Sequence, residues 1–177
     1  MASKTFLELN NKISSLIQQR PTKKRDLRGI FADAQAMHSL VKYMARSYRG
    51  KIDYILSPDT QGLVFASMLA MELEVGLLPI KNRPCEHTDE DNPLRAAFIN
   101  HRNQARVLLC RKGLIPKESR VLLADDWVET AATMTACQEI AEQLGVSVTG
   151  IASIGANRNE FTKKWLDEGK LNSLILQ

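Results

Sequence analysis

The sequence has few of the features that hold small secreted or metal-bound folds together. It contains three cysteines, Cys85, Cys110 and Cys137, with no Cys-x-x-Cys pair among them. An odd number at wide spacing argues against a disulfide framework or a zinc site and favours a reducing compartment. No stretch approaches the roughly 20 apolar residues that cross a bilayer, and the N-terminus lacks an apolar core with a cleavage site. We therefore expect a soluble, cytoplasmic protein with no membrane partner.

Internal repeats, low-complexity tracts and Gly/Ser linkers are also missing. A chain of 177 residues is long enough to bury about two thirds of its unfolded surface, so it needs neither disulfides nor a structural metal. The expectation is a single domain over residues 1–177.

A strong excess of charge is lacking as well. The net charge of +4 and the pI of about 9.0 reflect a small basic excess, and Lys23, Lys24 and Arg25 form the only tight basic cluster. RNP-like aromatic motifs and zinc fingers are missing, which makes nucleic acid an unlikely partner. A modest positive field instead suits a small polyanionic substrate.

What the sequence does contain is an alternation of helix and strand patterns. Apolar residues at helical spacing predict an amphipathic N-terminal helix within 1–20 and a second helix around 37–48. A strand at 54–56, a helix at 63–74 with Val64, Met68 and Met71 on one side, and a strand at 76–81 form a βαβ unit, which requires a parallel sheet. A flexible loop or hood is predicted over 84–110, and it contains an antiparallel pair of strands at 96–99 and 105–110. A further strand begins at Arg120. The last predicted elements are a strand at 146–154, a helix at 157–166 and a strand at 171–176. The fold class predicted is α/β, a doubly wound, mainly parallel sheet flanked by helices.

The segment from Arg120 to Met134 carries most of the chemical information. Its apolar strand leads into two adjacent carboxylates, Asp125 and Asp126, and then into Glu-Thr-Ala-Ala-Thr at 129–133. Small residues at the start of a helix allow successive backbone N–H groups to converge on a phosphate. The acidic pair would then face the hydroxyls of a sugar, so the pattern predicts a sugar phosphate ligand.

This segment resembles the phosphoribosyl pyrophosphate (PRPP) signature of the type I phosphoribosyltransferases, in which a hydrophobic strand precedes two acids, a threonine, small residues and another threonine. The stretch from Ile52 to Phe65 looks like the same region of the adenine enzymes of that family. Arg25-Asp26 stands where those enzymes have an Arg-Asp pair. The likeness is collinear from about Arg25 to Leu176, and it implies the type I phosphoribosyltransferase fold.

The resemblance implies a Mg²⁺-dependent enzyme that transfers the phosphoribosyl group of PRPP to a nucleobase and releases pyrophosphate. By position, Asp125 and Asp126 would hold the ribose hydroxyls. Magnesium would be held mainly by PRPP, with no direct protein ligand. The family also suggests a homodimer, for which the N-terminal helix is a candidate contact. The other roles implied are 5-phosphate binding by Glu129, Thr130, Ala131, Ala132 and Thr133, pyrophosphate binding by Asp59, Thr60, Lys81, Arg83 and Arg102, and a base pocket with Arg25, Trp127 and Val128.

Several positions depart from the pattern of the adenine enzymes. Gln61 stands where an arginine is usual, and Ala131-Ala132 replace glycines, which tolerate positive φ better. His101 and Arg102 occupy the place of a Glu-Tyr pair in the mobile hood, and His101 could exchange protons near neutral pH.

Glu129 is the departure that bears on the base. Adenine enzymes have alanine here, whereas the hypoxanthine and guanine enzymes have an acid that handles the purine N7 proton, so a catalytic role for Glu129 and a 6-oxopurine substrate stay open. Two other classes also stay open: a catalytically impaired PRPP-binding sensor or regulatory protein, motivated by Gln61 and the changed hood, and a nucleic-acid-binding module, motivated by the basic cluster at 23–25 and the pI.

Overall fold

A computed structural model describes residues 4–19, 25–84, 93–100 and 102–177 of the chain. Helices and strands alternate through most of this length, as the periodicity predicts. In chain order the elements are α1 (Lys4–Ser15), β1 (Gln18–Gln19), β2 (Arg25–Asp26), α2 (Arg28–Ala32), α3 (Ala34–Ala45), β3 (Tyr54–Pro58), α4 (Gly62–Leu73), β4 (Gly76–Pro84), β5 (Leu94–Ile99), β6 (Ala105–Cys110), β7 (Arg120–Val128), α5 (Ala132–Leu144), β8 (Ser147–Ala156), α6 (Glu160–Asp167) and β9 (Leu171–Leu176).

Seven of the strands form one central sheet in the order β5-β6-β4-β3-β7-β8-β9. The pairs β3–β4, β3–β7, β7–β8 and β8–β9 are parallel, while β5 and β6 are antiparallel additions at one edge. The predicted mainly parallel α/β sheet is confirmed. Strands β1 and β2 form a separate two-stranded ribbon.

Both faces of the sheet are covered, because successive strand residues point to opposite sides. In β7, Leu122 packs into the cluster formed with α1 to α4, whereas Leu123 packs into the cluster formed with α5. Near-continuous apolar runs such as Val121–Ala124 follow from this double burial. The doubly wound arrangement brings the carboxyl ends of β3 and β7 side by side, which is where ligands bind in open α/β sheets.

The structure moves some predicted boundaries. Strand β7 continues through the acidic pair to Val128, because its ladder with β8 runs on to the pair Val128 and Ala156. Helix α6 begins at Glu160 rather than at residue 157, since Asn159 caps its N-terminus.

Residues 85–92 of the predicted loop or hood lie outside the described residues. The rest of that region is mostly strand: β5 and β6 form the predicted antiparallel pair, and β6 also pairs with β4. The hairpin therefore belongs to the central sheet.

The exposure of two helix faces bears on the predicted dimer contact. The apolar side of α1 is covered within the chain itself, with Leu9 and Ile13 buried in the cluster shared with α3, so it is not available as the dimer contact predicted for it. By contrast, Val64, Met68 and Met71 on α4 are exposed, Met71 by 81%. In the part of the chain that the structure describes, no helix is long and apolar enough to span a membrane.

Candidate functional site

A cleft of about 720 Å³ opens at the carboxyl ends of β3 and β7. It collects residues that are far apart in the sequence, since the parallel strands deliver their following loops to one edge of the sheet. Its lining comprises Arg25, Leu27, Pro58, Asp59, Thr60, Gln61, Asn82, Arg102, Asp125, Asp126, Trp127, Val128, Glu129, Thr130, Ala131, Thr133 and Met134. Most of the residues predicted from the sequence to form the site are therefore brought together.

The acidic pair lies in the wall of this cleft, near the end of β7. An oxygen of Asp125 accepts a hydrogen bond from the backbone N–H of Asp126 (2.8 Å), and Asp126 accepts one from the N–H of Trp127 (2.9 Å). Burial raises the pKa of both carboxyls, and the charge of Asp126 raises that of Asp125 further. Among the described residues neither carboxylate forms an ion pair. The pair is thus a desolvated acceptor site that suits hydroxyl donors.

Gly62, the first residue of α4, lies directly against the acidic pair. A Cβ added at this glycine would come within 2.3 Å of Asp125 Oδ1 and 3.0 Å of Asp125 Cα. The close approach explains why the loop Pro58–Gly62 needs glycine at its end. In the same loop the peptide bond between Asp59 and Thr60 is cis.

The segment after β7 forms a tight loop at the N-terminus of α5. Ala131 adopts a left-handed conformation (φ 62°, ψ −17°), which is the geometry for which a glycine is preferred. Helix α5 begins at Ala132. Its unsatisfied N–H groups and positive dipole end face the cleft beside Thr130 and Thr133. Ala132 faces a second groove, of about 540 Å³, instead.

Another part of the cleft wall is built around Trp127. The guanidinium of Arg25 lies 4.1 Å from the centre of the indole ring, a cation–π contact, and Arg25 Nη1 is 3.9 Å from Glu129 Oε1. Partial burial lowers the pKa of Arg25, and the Glu129 charge offsets part of that shift. The six-membered part of the ring packs directly against Gly155, where a Cβ would come within 2.1 Å of it. Val128 also lines the cleft although it is 98% buried by its neighbours.

Only some of the residues predicted to bind pyrophosphate line the cleft. Asp59, Thr60 and Arg102 line the cleft. Arg83 lies beside it and donates to Asp59 Oδ2 (3.0 Å). Lys81 is exposed and lies outside the lining. His101, predicted as a proton-exchanging residue, lies outside the described residues.

Three further residues line the cleft without having been predicted from the sequence: Leu27, Asn82 and Met134. Asn82 could have been found, since the alternation of β4 puts it on the face opposite to that of Lys81 and Arg83. It also receives a hydrogen bond from Arg106 (2.9 Å). Leu27 and Met134 are apolar and buried, and no local pattern separates them from ordinary core residues.

The chain matches the family model described as the phosphoribosyl transferase domain over residues 30–168. It is 32% identical to an adenine phosphoribosyltransferase of Lactobacillus delbrueckii subsp. bulgaricus over 132 residues, which is 72% of this chain and 71% of that enzyme. It is 31% identical to the adenine phosphoribosyltransferase of Stochomys longicaudatus over 119 residues, 67% of this chain and 64% of that enzyme.

Solved structures give the same picture. The crystal structure of the adenine phosphoribosyltransferase from Thermoanaerobacter pseudethanolicus superposes with a TM-score of 0.83 and 26% sequence identity. The superposition covers 95% of this chain and 99% of that one. The similarity thus extends over nearly the whole of both chains.

Proposed function

This chain belongs to the phosphoribosyl transferase domain family, and from that premise we propose that it transfers the phosphoribosyl group of PRPP to a purine base and releases pyrophosphate. The observation that supports this most directly is the meeting, in one cleft, of the desolvated pair Asp125-Asp126 with the helix N-terminus at 130–133. A ribose 5-phosphate needs acceptors for its hydroxyl groups and, a few residues further along the same loop, a binding site for its phosphate.

In the proposed reaction the bond between C1 of the ribose and the pyrophosphate oxygen breaks, and a ring nitrogen of the base bonds to C1 and loses its proton. Asp125 and Asp126 accept hydrogen bonds from the ribose hydroxyls. Their charge, in a site with little water, favours the positive character that develops on the sugar. The backbone of the loop around Ala131 binds the 5-phosphate. The positive charges of Arg102 and of Arg83, which lies beside the cleft, stabilise the negative charge on the departing pyrophosphate.

For the base we propose adenine first, as in the relatives named above, with a 6-oxopurine as the second candidate. The pocket side of the cleft offers the Trp127 face, the Arg25 guanidinium and the Glu129 carboxylate. In the proposal Glu129, with its side chain 41% exposed, accepts the proton of the attacking nitrogen. An arginine beside a carboxylate also complements a base that carries both a carbonyl and an N–H group.

The proposal includes Mg²⁺. Carboxylates of Asp59, Asp125 and Asp126 line the cleft, and oxygen donors of this kind suit that ion. Within the described ranges no group of three or more acidic, histidine or cysteine side chains could hold a metal. In the proposal the ion is held mainly by PRPP. When bound, Mg²⁺ neutralises charge on the leaving pyrophosphate.

A cytoplasmic location and a homodimer complete the proposal, both by resemblance to the family. For the dimer contact, the exposed side of α4 with Val64, Met68 and Met71 replaces α1 as our candidate, because an apolar stripe of this kind favours association. Light scattering of Met71→Glu and Met68→Glu variants tests it: a purely monomeric wild-type protein, or dimers unaffected by both changes, would contradict this part.

The alternative is a PRPP-binding regulatory or sensor protein without turnover. Gln61 favours it, since this uncharged side chain lines the cleft where the family usually places an arginine. Such a protein would bind PRPP and leave bases unchanged.

One experiment separates these functions. Thermal unfolding with and without PRPP and Mg²⁺ measures binding, and pyrophosphate release is then followed with adenine, hypoxanthine, guanine, xanthine and orotate. Stabilisation with turnover supports the enzyme, and stabilisation without turnover supports the sensor. If PRPP produces no stabilisation, both are wrong.

A further inference from the structure

Asn159 makes two sets of contacts that use the opposite ends of its side-chain amide. Its Oδ1 accepts hydrogen bonds from the backbone N–H groups of Phe161 (3.0 Å) and Thr162 (3.1 Å), which caps α6. Its Nδ2 donates to the backbone carbonyl of Glu129 at 2.7 Å. Because two donors fix Oδ1, the amide nitrogen is necessarily the group that faces Glu129.

The carbonyl of Glu129 belongs to the peptide that opens the phosphate loop. In a planar trans peptide the C=O of one residue and the N–H of the next point in opposite directions. Holding the Glu129 carbonyl toward Asn159 therefore turns the Thr130 N–H away from Asn159. Thr130 and Ala131 line the cleft, so the part of the loop that carries this N–H lies where an anion would bind.

We propose that Asn159 is a positioning residue for the phosphate loop: it fixes the Glu129–Thr130 peptide so that the Thr130 N–H donates to the 5-phosphate of PRPP. The inference rests on the proposed function. Asn159 acts through the backbone, from a different strand–helix connection, and is not among the residues that line the cleft. It gives the loop a rigid support that Ala131, in its left-handed conformation, does not supply.

Capping and positioning can be separated by substitution. Aspartate and serine cap a helix about as well as asparagine, but neither carries an N–H₂ group. Asn159→Asp and Asn159→Ser thus keep the acceptor for the α6 amides and remove the donor to Glu129. Only the aspartate adds a charge, so agreement between the two variants excludes a charge effect. Lys163→Ala, which removes the exposed Lys163–Asp167 ion pair on the same helix, is the control for a general loosening of α6.

Three measurements then decide the inference: KM for PRPP against KM for the base, amide hydrogen exchange of the peptide 129–133, and the melting temperature. We expect both Asn159 variants to raise KM for PRPP roughly tenfold, the worth of a hydrogen bond to a charged group. Exchange at 129–133 should quicken, and Tm should stay within about 2 °C of wild type. Lys163→Ala should match wild type in KM and exchange.

Unchanged KM for PRPP and unchanged exchange in both variants would overturn the inference, and so would a defect confined to Asn159→Asp. An equal defect in Lys163→Ala would overturn it too, because it would reduce the role of Asn159 to holding α6. If the wild-type protein neither binds nor uses PRPP, the proposed function fails. The exchange measurement still decides whether Asn159 orders the loop.

Discussion

The two ends of the paired strands β3 and β7 treat charge in opposite ways. At the amino end, Asp53 accepts hydrogen bonds from the Arg120 side chain at 2.7 and 3.1 Å and from its backbone N–H at 2.8 Å, and these lower the pKa of Asp53 to about 2. At the carboxyl end, burial raises the pKa values of Asp125 and Asp126. At the amino end the carboxylate is paired within the protein, whereas at the carboxyl end the two carboxylates are left to be paired by a ligand. The difference marks which end is structural and which is functional.

The largest expected effect comes from removing charge at the carboxyl end. Asp125→Asn combined with Asp126→Asn should lower kcat/KM by about a thousandfold or more, since it removes both negative charges and replaces one acceptor oxygen of each residue with a donor. The free protein should become more stable by about 1 kcal/mol or more, because neutral amides cost less to bury than carboxylates. Pyrophosphate release and thermal unfolding without ligand measure the two effects. A destabilised variant, or one that keeps its affinity for PRPP, would contradict the assignment.

The same double variant makes a pH prediction with a definite sign. The folded-state pKa values of Asp125 and Asp126 lie above those of the unfolded chain, so the folded wild-type protein takes up protons first as the pH falls. The stability advantage of the double variant should therefore narrow as the pH falls from the raised values toward about 3.9. Melting temperatures of both proteins across pH 3 to 8 provide the check. A difference in melting temperature between the double variant and the wild-type protein that grows as the pH falls would contradict this prediction.

Gly62→Ala tests the contact that holds α4 against the acidic pair. The added methyl would meet Asp125 Oδ1 and Cα, and overpacking of this kind costs about 1–3 kcal/mol. We expect lower stability in urea unfolding and at least a tenfold loss of PRPP affinity. Ser67→Ala, on the exposed side of the same helix, is the matched control. If the two variants had the same stability and the same PRPP affinity, the contact between Gly62 and Asp125 would have no role in binding.

Asp53→Asn probes the amino end, with a smaller effect that should be confined to stability. The pair is exposed, so Tm should fall by no more than about 3 °C near neutral pH, with kcat/KM unchanged. The pKa of Asp53 is depressed, so its contribution is complete above about pH 4 and is lost as the pH falls toward 2. Here the wild-type protein is the more stable one, which reverses the sign seen at the carboxyl end. A loss of activity in this variant would undermine the comparison.

The smallest effect is expected at the phosphate loop. Ala131→Gly relieves a left-handed alanine but adds freedom to the unfolded chain, so we expect a net gain below about 1 kcal/mol and PRPP affinity at least as high. Ala132→Gly, inside the first turn of α5, should instead lose up to about 1 kcal/mol. Urea unfolding of both variants measures the contrast. If both substitutions changed the free energy of unfolding in the same direction, the conformational explanation would be wrong.

The parts of the site that the residue pattern itself predicts lie in one continuous stretch, whereas Arg25, Asp59, Thr60 and Arg102 were expected only by resemblance to the family. Asp125, Asp126 and the residues 129–133 follow one strand, so their spacing alone places them at a helix N-terminus. Asn159 reaches the site through the packing of a distant element, and nothing local distinguishes it from a surface amide. For Asn82 the alternation of β4 was the available signal, since it separates this residue from Lys81 and Arg83. The fold class followed from the βαβ pattern, because alternating elements allow few topologies.

The mistaken expectation about α1 has a similar origin. Helical periodicity identifies an apolar face but does not say what covers it. The face of α1 with Leu9 and Ile13 is buried within the chain, while Met68 and Met71 of α4 are exposed. Which apolar face remains uncovered depends on the order of the helices around the sheet.

The stack of Arg25 on Trp127 has a spectroscopic consequence. The chain has two tryptophans: Trp127 lines the cleft, and Trp165 lines the second groove. A ligand that displaces the guanidinium from the indole changes the environment of only one of the two emitters. With Trp165→Phe, the molecule therefore reports occupancy of its cleft through its own fluorescence, without a label or a coupled assay.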